Sequence, residues 1–243
     1  MSERAKHEIR HGAFIAEGDS ELIWGWGTPA GRIRAKRRAD LVAIKARLCP
    51  GISVLEIGCG TGMFTEMFAQ TGCSIIAVDI SAQLLKKAED RQLSPGKVRF
   101  MHKRFEDCDV DGPFDAVIGS SILHHLELIE ALPKIYELLK PGGIMSFAEP
   151  NMLNPQVFAE RKMRRFFPQV SPDETAFVRR TLKRSLQESG FQDIEIKPFD
   201  WLHPSVPKQL IGPVSSIGKV LEEIPFLREF SGSLLIKAVR PSR

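Results

Sequence analysis

Four cysteines in 243 residues, at positions 49, 59, 73 and 108, are too few and too irregularly spaced for a disulfide framework. None forms a C-x-x-C pair or stands at zinc-finger distance from a histidine, so a structural metal is not expected either. A reducing cytoplasm suits such a chain. No stretch approaches the roughly 20 apolar residues of a membrane span, and the first residues, MSERAKHEIRHGAF, lack the apolar core of a signal peptide. Neither an internal repeat nor a low-complexity tract interrupts the sequence. A strong charge of one sign is also missing: 34 Lys and Arg against 30 Asp and Glu leave +4, too little for a dedicated nucleic-acid binder.

The composition is that of a folded protein, with 43% hydrophobic and 26% charged residues. Its positive charge is clustered, at Arg32, Arg34, Lys36, Arg37 and Arg38, at Arg161, Lys162, Arg164 and Arg165, and at Arg179, Arg180, Lys183 and Arg184. Solvated helix faces and a dock for an anionic lipid or acidic substrate are the two readings of these groups. Residues 1–38 form a polar leader rich in Trp and Arg, and residues 39–243 carry the main domain. Ile52 to Ile57, Ser74 to Val78, Val98 to Met101, Phe114 to Gly119 and Ile144 to Ala148 read as five apolar strands alternating with helical spacing. Ser81 is placed to cap the helix through Leu84, Leu85 and Ala88. Pro133 predicts a kink or a late start in the helix from Leu128 to Leu138, and Lys140 to Gly143 predicts a break before the fifth strand. Ser171 to Glu174 has the form of a capping box for a helix running to about Ser189. Gln192 to Phe199 and Leu234 to Val239 complete seven strands. Between them, residues 201–230 read as an apolar cap, with Val214, Ile217, Val220, Leu221 and Ile224 at helical spacing.

Strands alternating with helices require crossovers, hence an α/β fold with a Rossmann-like, mostly parallel seven-stranded sheet, helices on both faces and the last strand antiparallel. Ligands of such sheets gather at the carboxyl ends of the strands. There lies the strongest signal, Glu56-Ile57-Gly58-Cys59-Gly60-Thr61-Gly62, between a strand and a helix. A nicotinamide-binding turn reads G-x-G-x-x-G around a pyrophosphate. Here the third glycine comes one residue early and a carboxylate precedes the first, which suits a ligand with an ammonium group and no phosphate. Asp79, seventeen residues after Gly62, is placed to accept both hydroxyls of a ribose.

Taken with Val78-Asp79-Ile80-Ser81, Phe114-Asp115-Ala116-Val117-Ile118, Leu123-His124-His125-Leu126 and Leu138-Leu139-Lys140-Pro141-Gly142-Gly143, that turn resembles the successive motifs of class I S-adenosylmethionine-dependent methyltransferases. The small-molecule group that includes the ubiquinone and menaquinone biosynthesis methyltransferases is the nearest in look, over about Arg37 to Asn151. The resemblance implies S-adenosyl-L-methionine as cofactor. It implies that Gly58, Gly60 and Gly62 line the methionine part, with Cys59 and Thr61 of the same turn among the cofactor-binding residues, Glu56 ordering the turn around the amino end, Asp79 on the ribose and Ile80 on the adenine. Ser120, closing the fourth strand, joins this set. Family members often carry Gly-Asp-Ala after the third strand, where this chain has Lys103-Arg104-Phe105-Glu106-Asp107. Arg104 stands at the Asp position, which leaves adenine recognition to Phe105, Glu106 or Asp107.

For the acceptor, His124 or His125 can serve as base if a proton must leave; the alternative is that one packs and caps the next helix. Glu149 is the next catalytic candidate, against a simple turn out of the sheet. Trp24 and Trp26, with Arg32 and Arg34, are expected either to lid the cofactor or to form a surface helix. The expected partner is a small-molecule or lipid-like acceptor, with peripheral contact to an anionic membrane through the cap and the basic groups. A methyltransferase of RNA or protein is the competing reading; it lacks an Asn-Pro-Pro-Tyr type motif, since Glu149-Pro150-Asn151 has the wrong order. A protein that holds the cofactor without turnover is a third.

Overall fold

The computed structural model describes residues 3–94, 96–167, 171 and 175–242. A seven-stranded sheet is built from β1 (Ser53–Ile57), β2 (Ser74–Asp79), β3 (Val98–His102), β4 (Phe114–Ser120), β5 (Leu139–Pro150), β6 (Gln192–Phe199) and β7 (Ser233–Val239). Their spatial order is β3-β2-β1-β4-β5-β7-β6. Only β7 runs antiparallel to its neighbours, as expected for the fold class. The chain reverses direction across the sheet between β1 and β4, so the crevice for a ligand opens beside those two strand ends.

Alternation along each strand sends its side chains to opposite faces. Val54, Ala116 and Ile118 pack with α3 (Pro29–Ala46), α4 (Met63–Ala69) and α5 (Ala82–Glu89). Leu55, Ile57 and Val117 pack with α6 (Leu128–Leu138) and α8 (Arg179–Glu188) on the other. Local chemistry sets the helix ends. The Thr28 hydroxyl accepts from Gly31 N at the start of α3, with Pro29 at its first position. Ser81 caps α5 by accepting from Leu84 N.

Several boundaries differ from the sequence reading. Residues 140–143 lie inside β5, where the register slips between Phe114 and Ala116. Backbone bonds between Gly142 and Arg240, and between Arg240 and Gly143, keep this irregular stretch in the sheet. Helix α6 starts at Leu128, without delay, and runs through Pro133, whose missing N–H removes one bond from the interior. Residues 172–174 of the expected capping box lie outside the described residues, and α8 begins at Arg179 after Val178. The 1–38 boundary falls within α3, a continuous helix.

The 201–230 segment forms α9 (Ile211–Glu223) and α10 (Pro225–Arg228), and it joins the edge strand β6 to the interior strand β7. Of the expected apolar row, Val214 is partly buried against Ala30, Leu202 and Ile211, but most of the row is not the face that α9 buries. Ile217, Val220 and Ile224 are exposed, and the inward residues are Ile211, Gly218 and Glu222. Glu222 faces inward, where it takes both terminal nitrogens of the partly exposed Arg37 at 2.8 and 2.5 Å and the backbone N–H of Asp200 at 2.8 Å. Gly218 adds a close approach, since a Cβ there would lie 2.9 Å from that of Trp201.

Candidate active site

The strand ends border a cavity of about 720 Å³, within the size range of small-ligand sites. Its floor is the turn after β1. Gly58 adopts φ +67, and a Cβ on it would sit 2.4 Å from the Ile122 side chain, so no other residue fits without displacement. Gly58, Cys59, Gly60 and Thr61 line the cavity. Gly62 lies behind it, packed on Ala88 of α5.

Asp79, at the end of β2, closes this turn. Its Oδ2 accepts from Gly60 N at 2.7 Å and its Oδ1 from Ser81 N at 2.8 Å. Burial raises its pKa, against the two backbone donors. Glu56 is buried beneath the turn, off the cavity wall, and its Oε2 has no hydrogen-bond partner among the described residues. Burial pushes this carboxyl up to about 8, the charge of Asp79 adding to the effect and the neighbouring Thr65 opposing it. Ile80, Arg104, Phe105, Glu106 and Ser120 all reach the cavity. Arg104 is held by Glu106 at 3.0 Å, whereas the Phe105 ring is largely taken up by the core.

A residue that the motifs did not indicate dominates the other wall. Arg38 of α3 is 3% exposed, yet among the described residues its guanidinium has no carboxylate partner. It donates to the hydroxyls of Ser120 (2.9 Å), Ser233 (2.8 Å) and Ser121 (3.2 Å) and to Ala148 O (2.8 Å). Burial, and next the charge of Arg34, lower its pKa to about 10, so it stays a cation at neutral pH. A signal existed in the sequence: Arg38 falls in the stripe Ala35, Ala39, Val42, Ala46 that α3 buries. Three of the other four basic residues of that cluster are paired, Arg34 with Asp200 at 2.8 Å, Lys36 with Asp40 at 2.6 Å and Arg37 with Glu222. Ser121, with φ +57, stores backbone strain at this point.

The two histidines both face the cavity but differ in their surroundings. His124 is 2% exposed and its Nδ1 lies 2.6 Å from Glu149 Oε2. Glu149 is fully buried and off the cavity wall, and its Oε1 accepts from Ile122 N and Leu123 N at 3.0 Å each. These donors, with the charge of His124, hold its pKa below the ordinary carboxylate value despite burial. Glu149 therefore clamps the loop that carries the histidines. His125 Nδ1 lies 2.9 Å from Glu8 Oε2, an ion-pair distance at which the buried Nδ1 is not aligned for a hydrogen bond.

The leader roofs the cavity. Helices α1 (Glu3–Glu17) and α2 (Ser20–Ile23) contribute Ala5, Glu8, Gly12, Ile15 and Leu22, and Trp24 and Trp26 follow. The Trp24 ring lies 3.4 Å from where a Gly60 Cβ would be. Arg91 ties the leader to the turn by pairing with Glu21 while donating to Thr61 O. From the 201–230 segment only Trp201, Leu202, His203, Pro204 and Ser205 reach the cavity; α9 and α10 do not.

Residues 54–143 match the model of a methyltransferase domain family. The chain is 31% identical over 168 residues to the ubiquinone biosynthesis O-methyltransferase of Xanthomonas campestris, covering 62% of this chain and 70% of that protein. It is 39% identical over 99 residues to the malonyl-[acyl-carrier protein] O-methyltransferase of Magnetococcus marinus, covering 39% and 37%. The solved N-methyltransferase NodS of Bradyrhizobium japonicum, in complex with S-adenosyl-L-homocysteine, superposes with a TM-score of 0.66 at 17% identity over 97% of this chain and 99% of that one. The chain belongs to the class I S-adenosylmethionine-dependent methyltransferases. Within them it is similar to the ubiquinone biosynthesis O-methyltransferases, and its cofactor is S-adenosylmethionine. The site fits that group: the glycine turn leaves room for the methionine part, and the buried guanidinium of Arg38 on the cavity wall matches its carboxylate end.

Proposed function

We propose that this methyltransferase acts on a hydroxyl of a small or lipid-like acceptor, with His125 as the base. The observation that carries the reading is the place of His125 on the wall of the cavity that also holds the glycine turn, with a carboxylate 2.9 Å from its Nδ1. The bound cofactor supplies a methyl group on a sulfonium centre. Transfer is an in-line displacement: the acceptor oxygen forms the bond to the methyl carbon, the carbon–sulfur bond breaks, and its electron pair stays on sulfur. An alcohol or phenol must lose a proton on the way, and His125 Nε2 takes it. The named activities of the two O-methyltransferase relatives agree with an oxygen acceptor.

In this proposal Gly58, Cys59, Gly60 and Thr61 surround the methionine part, Arg38 holds its carboxylate, and Asp79 takes the ribose hydroxyls. Ile80 and the Arg104 to Glu106 segment flank the adenine. Glu56 and Gly62 shape the turn from behind. The roof of α1, α2, Trp24 and Trp26 excludes water and positions the acceptor. The outward row of Ile217, Val220, Ile224 and Phe226 supports a lipid-like acceptor reached by peripheral membrane contact. The ion pairs of Arg34, Lys36 and Arg37 within the fold weigh against a nucleic-acid substrate at the first basic cluster.

The test is methyl transfer from labelled S-adenosylmethionine to a panel of phenols, hydroxy acids, amines and RNA. Turnover of a hydroxyl compound, lost by 10²-fold or more in His125→Asn with cofactor affinity retained, is the expected result. Turnover confined to amines or RNA, or an unaffected His125→Asn variant, overturns it.

A further inference from the structure

We propose that Glu8, carried by the N-terminal helix α1, is the positioning residue of His125, so that the base is complete only while α1 is docked over the cavity. The proposal rests on the reading of His125 as base. It starts from where α1 lies. Gly12 permits a close approach to α5, because a Cβ there would sit 2.7 Å from Ser81 Oγ. Ile15 is fully buried at the same contact face. One turn before Glu8, Arg4 grips the histidine loop: its Nε donates to His125 O at 2.8 Å, its Nη2 to His124 O at 2.6 Å, and its Nη1 to Glu127 Oε1 at 3.0 Å.

Glu8 is held from two sides. Its Oε2 lies 2.9 Å from His125 Nδ1, and its Oε1 accepts from Ser171 Oγ at 2.6 Å. Burial raises its pKa, but His125, Ser171 and His11 together bring it below the ordinary value, so the carboxylate is charged at neutral pH. The contact is an ion pair without hydrogen-bond alignment, so Glu8 acts through its charge: a carboxylate 2.9 Å from Nδ1 favours the tautomer with the proton on that nitrogen, which leaves Nε2 as the proton acceptor. It also stabilises the imidazolium formed once the proton is taken, as a buried carboxylate does for a general-base histidine. The other charged or titratable groups around His125 are Arg4 and His11 on α1, Asp79 at the end of β2, His124 with Glu149 behind it, and Glu127 ahead of α6. Of the carboxylates among them, Glu8 is the one in contact with the ring, and it comes from the leader.

The test reads the ring nitrogens of His125 by ¹⁵N NMR in the full chain at a pH where the ring is neutral, with His125→Asn supplying the assignment. The expected result is an Nδ1–H tautomer in the parent, a shift to mainly Nε2–H in Glu8→Ala, and return of the parent signal in Glu8→Asp. Arg4→Ala, which loosens α1 but keeps Glu8, moves the signal the same way by a smaller amount. S-adenosylmethionine affinity within about threefold of the parent shows that the variants are folded; Glu8→Gln replaces Glu8→Ala if the latter is not. An unchanged Nδ1–H signal in Glu8→Ala, or one that Glu8→Asp fails to restore, overturns the proposal. Methyl transfer surviving in His125→Asn instead overturns the base reading and leaves the tautomer result to stand by itself.

Discussion

Two histidine–carboxylate pairs lie side by side, with ring centroids 4.2 Å apart, and they differ in what supplies the acid. Glu149 rises from the end of β5, has no exposure and binds two backbone amides besides His124. Glu8 arrives on a helix outside the sheet and binds one ring and one hydroxyl. The first pair belongs to the frame. The glycine turn and Asp79 are built into the sheet and form the permanent half of the site; the proposed base depends on the leader, which also covers that turn through Trp24.

The largest effect that sharpens this contrast is on stability. Glu149→Ala leaves His124 and two backbone amides buried without their acceptor, and roughly 3–5 kcal/mol is expected to be lost in urea unfolding at pH 7. Glu8→Ala is expected to lose less than half of that; equal losses would erase the distinction. In sign, a carboxylate lowered in the fold, as Glu149 is, contributes stability above its unfolded pKa that disappears as pH falls through the folded one. Next is Asp79→Ala, expected to weaken S-adenosylmethionine binding by about 1–3 kcal/mol in calorimetry. Binding as tight as the parent's would remove Asp79 from the permanent half.

Glu56 behaves oppositely to Glu149. Its pKa is raised, so its contribution is full below the unfolded value and is lost as pH rises through about 8. The parent is expected to lose stability over that window relative to Glu56→Gln, by no more than about 1.4 kcal/mol per pH unit. Parallel pH profiles for the two proteins would show that Glu56 is not held neutral. The smallest effect belongs to Ile217→Ser with Val220→Ser, expected within about 0.5 kcal/mol of the parent because both side chains are already in solvent. A larger loss would mean that the row packs inward after all.

The permanent half was legible because its parts are local. Glycines follow a strand, an aspartate ends the next one, and Ser81 caps the helix after that, all within about 30 residues of each other. Arg38 escaped because a basic cluster on a helix reads as a solvated face, although its place in the Ala35, Ala39, Val42 stripe was there to notice. The outward row of α9 misled for the converse reason: helical spacing identifies a face without saying which way it turns.

By itself, then, the sequence determined the alternation of strands and helices, the glycine turn and the cofactor it serves, since periodicity and turn chemistry act between near neighbours. Only the tertiary structure decided the rest. Glu8 meets His125 across 117 positions and Arg37 meets Glu222 across 185, contacts set by the order of strands in the sheet and the docking of helices on it. Glu222 turned inward to Arg37 and the Asp200 N–H while Ile217 and Val220 of α9 face solvent, an orientation that no local pattern encodes.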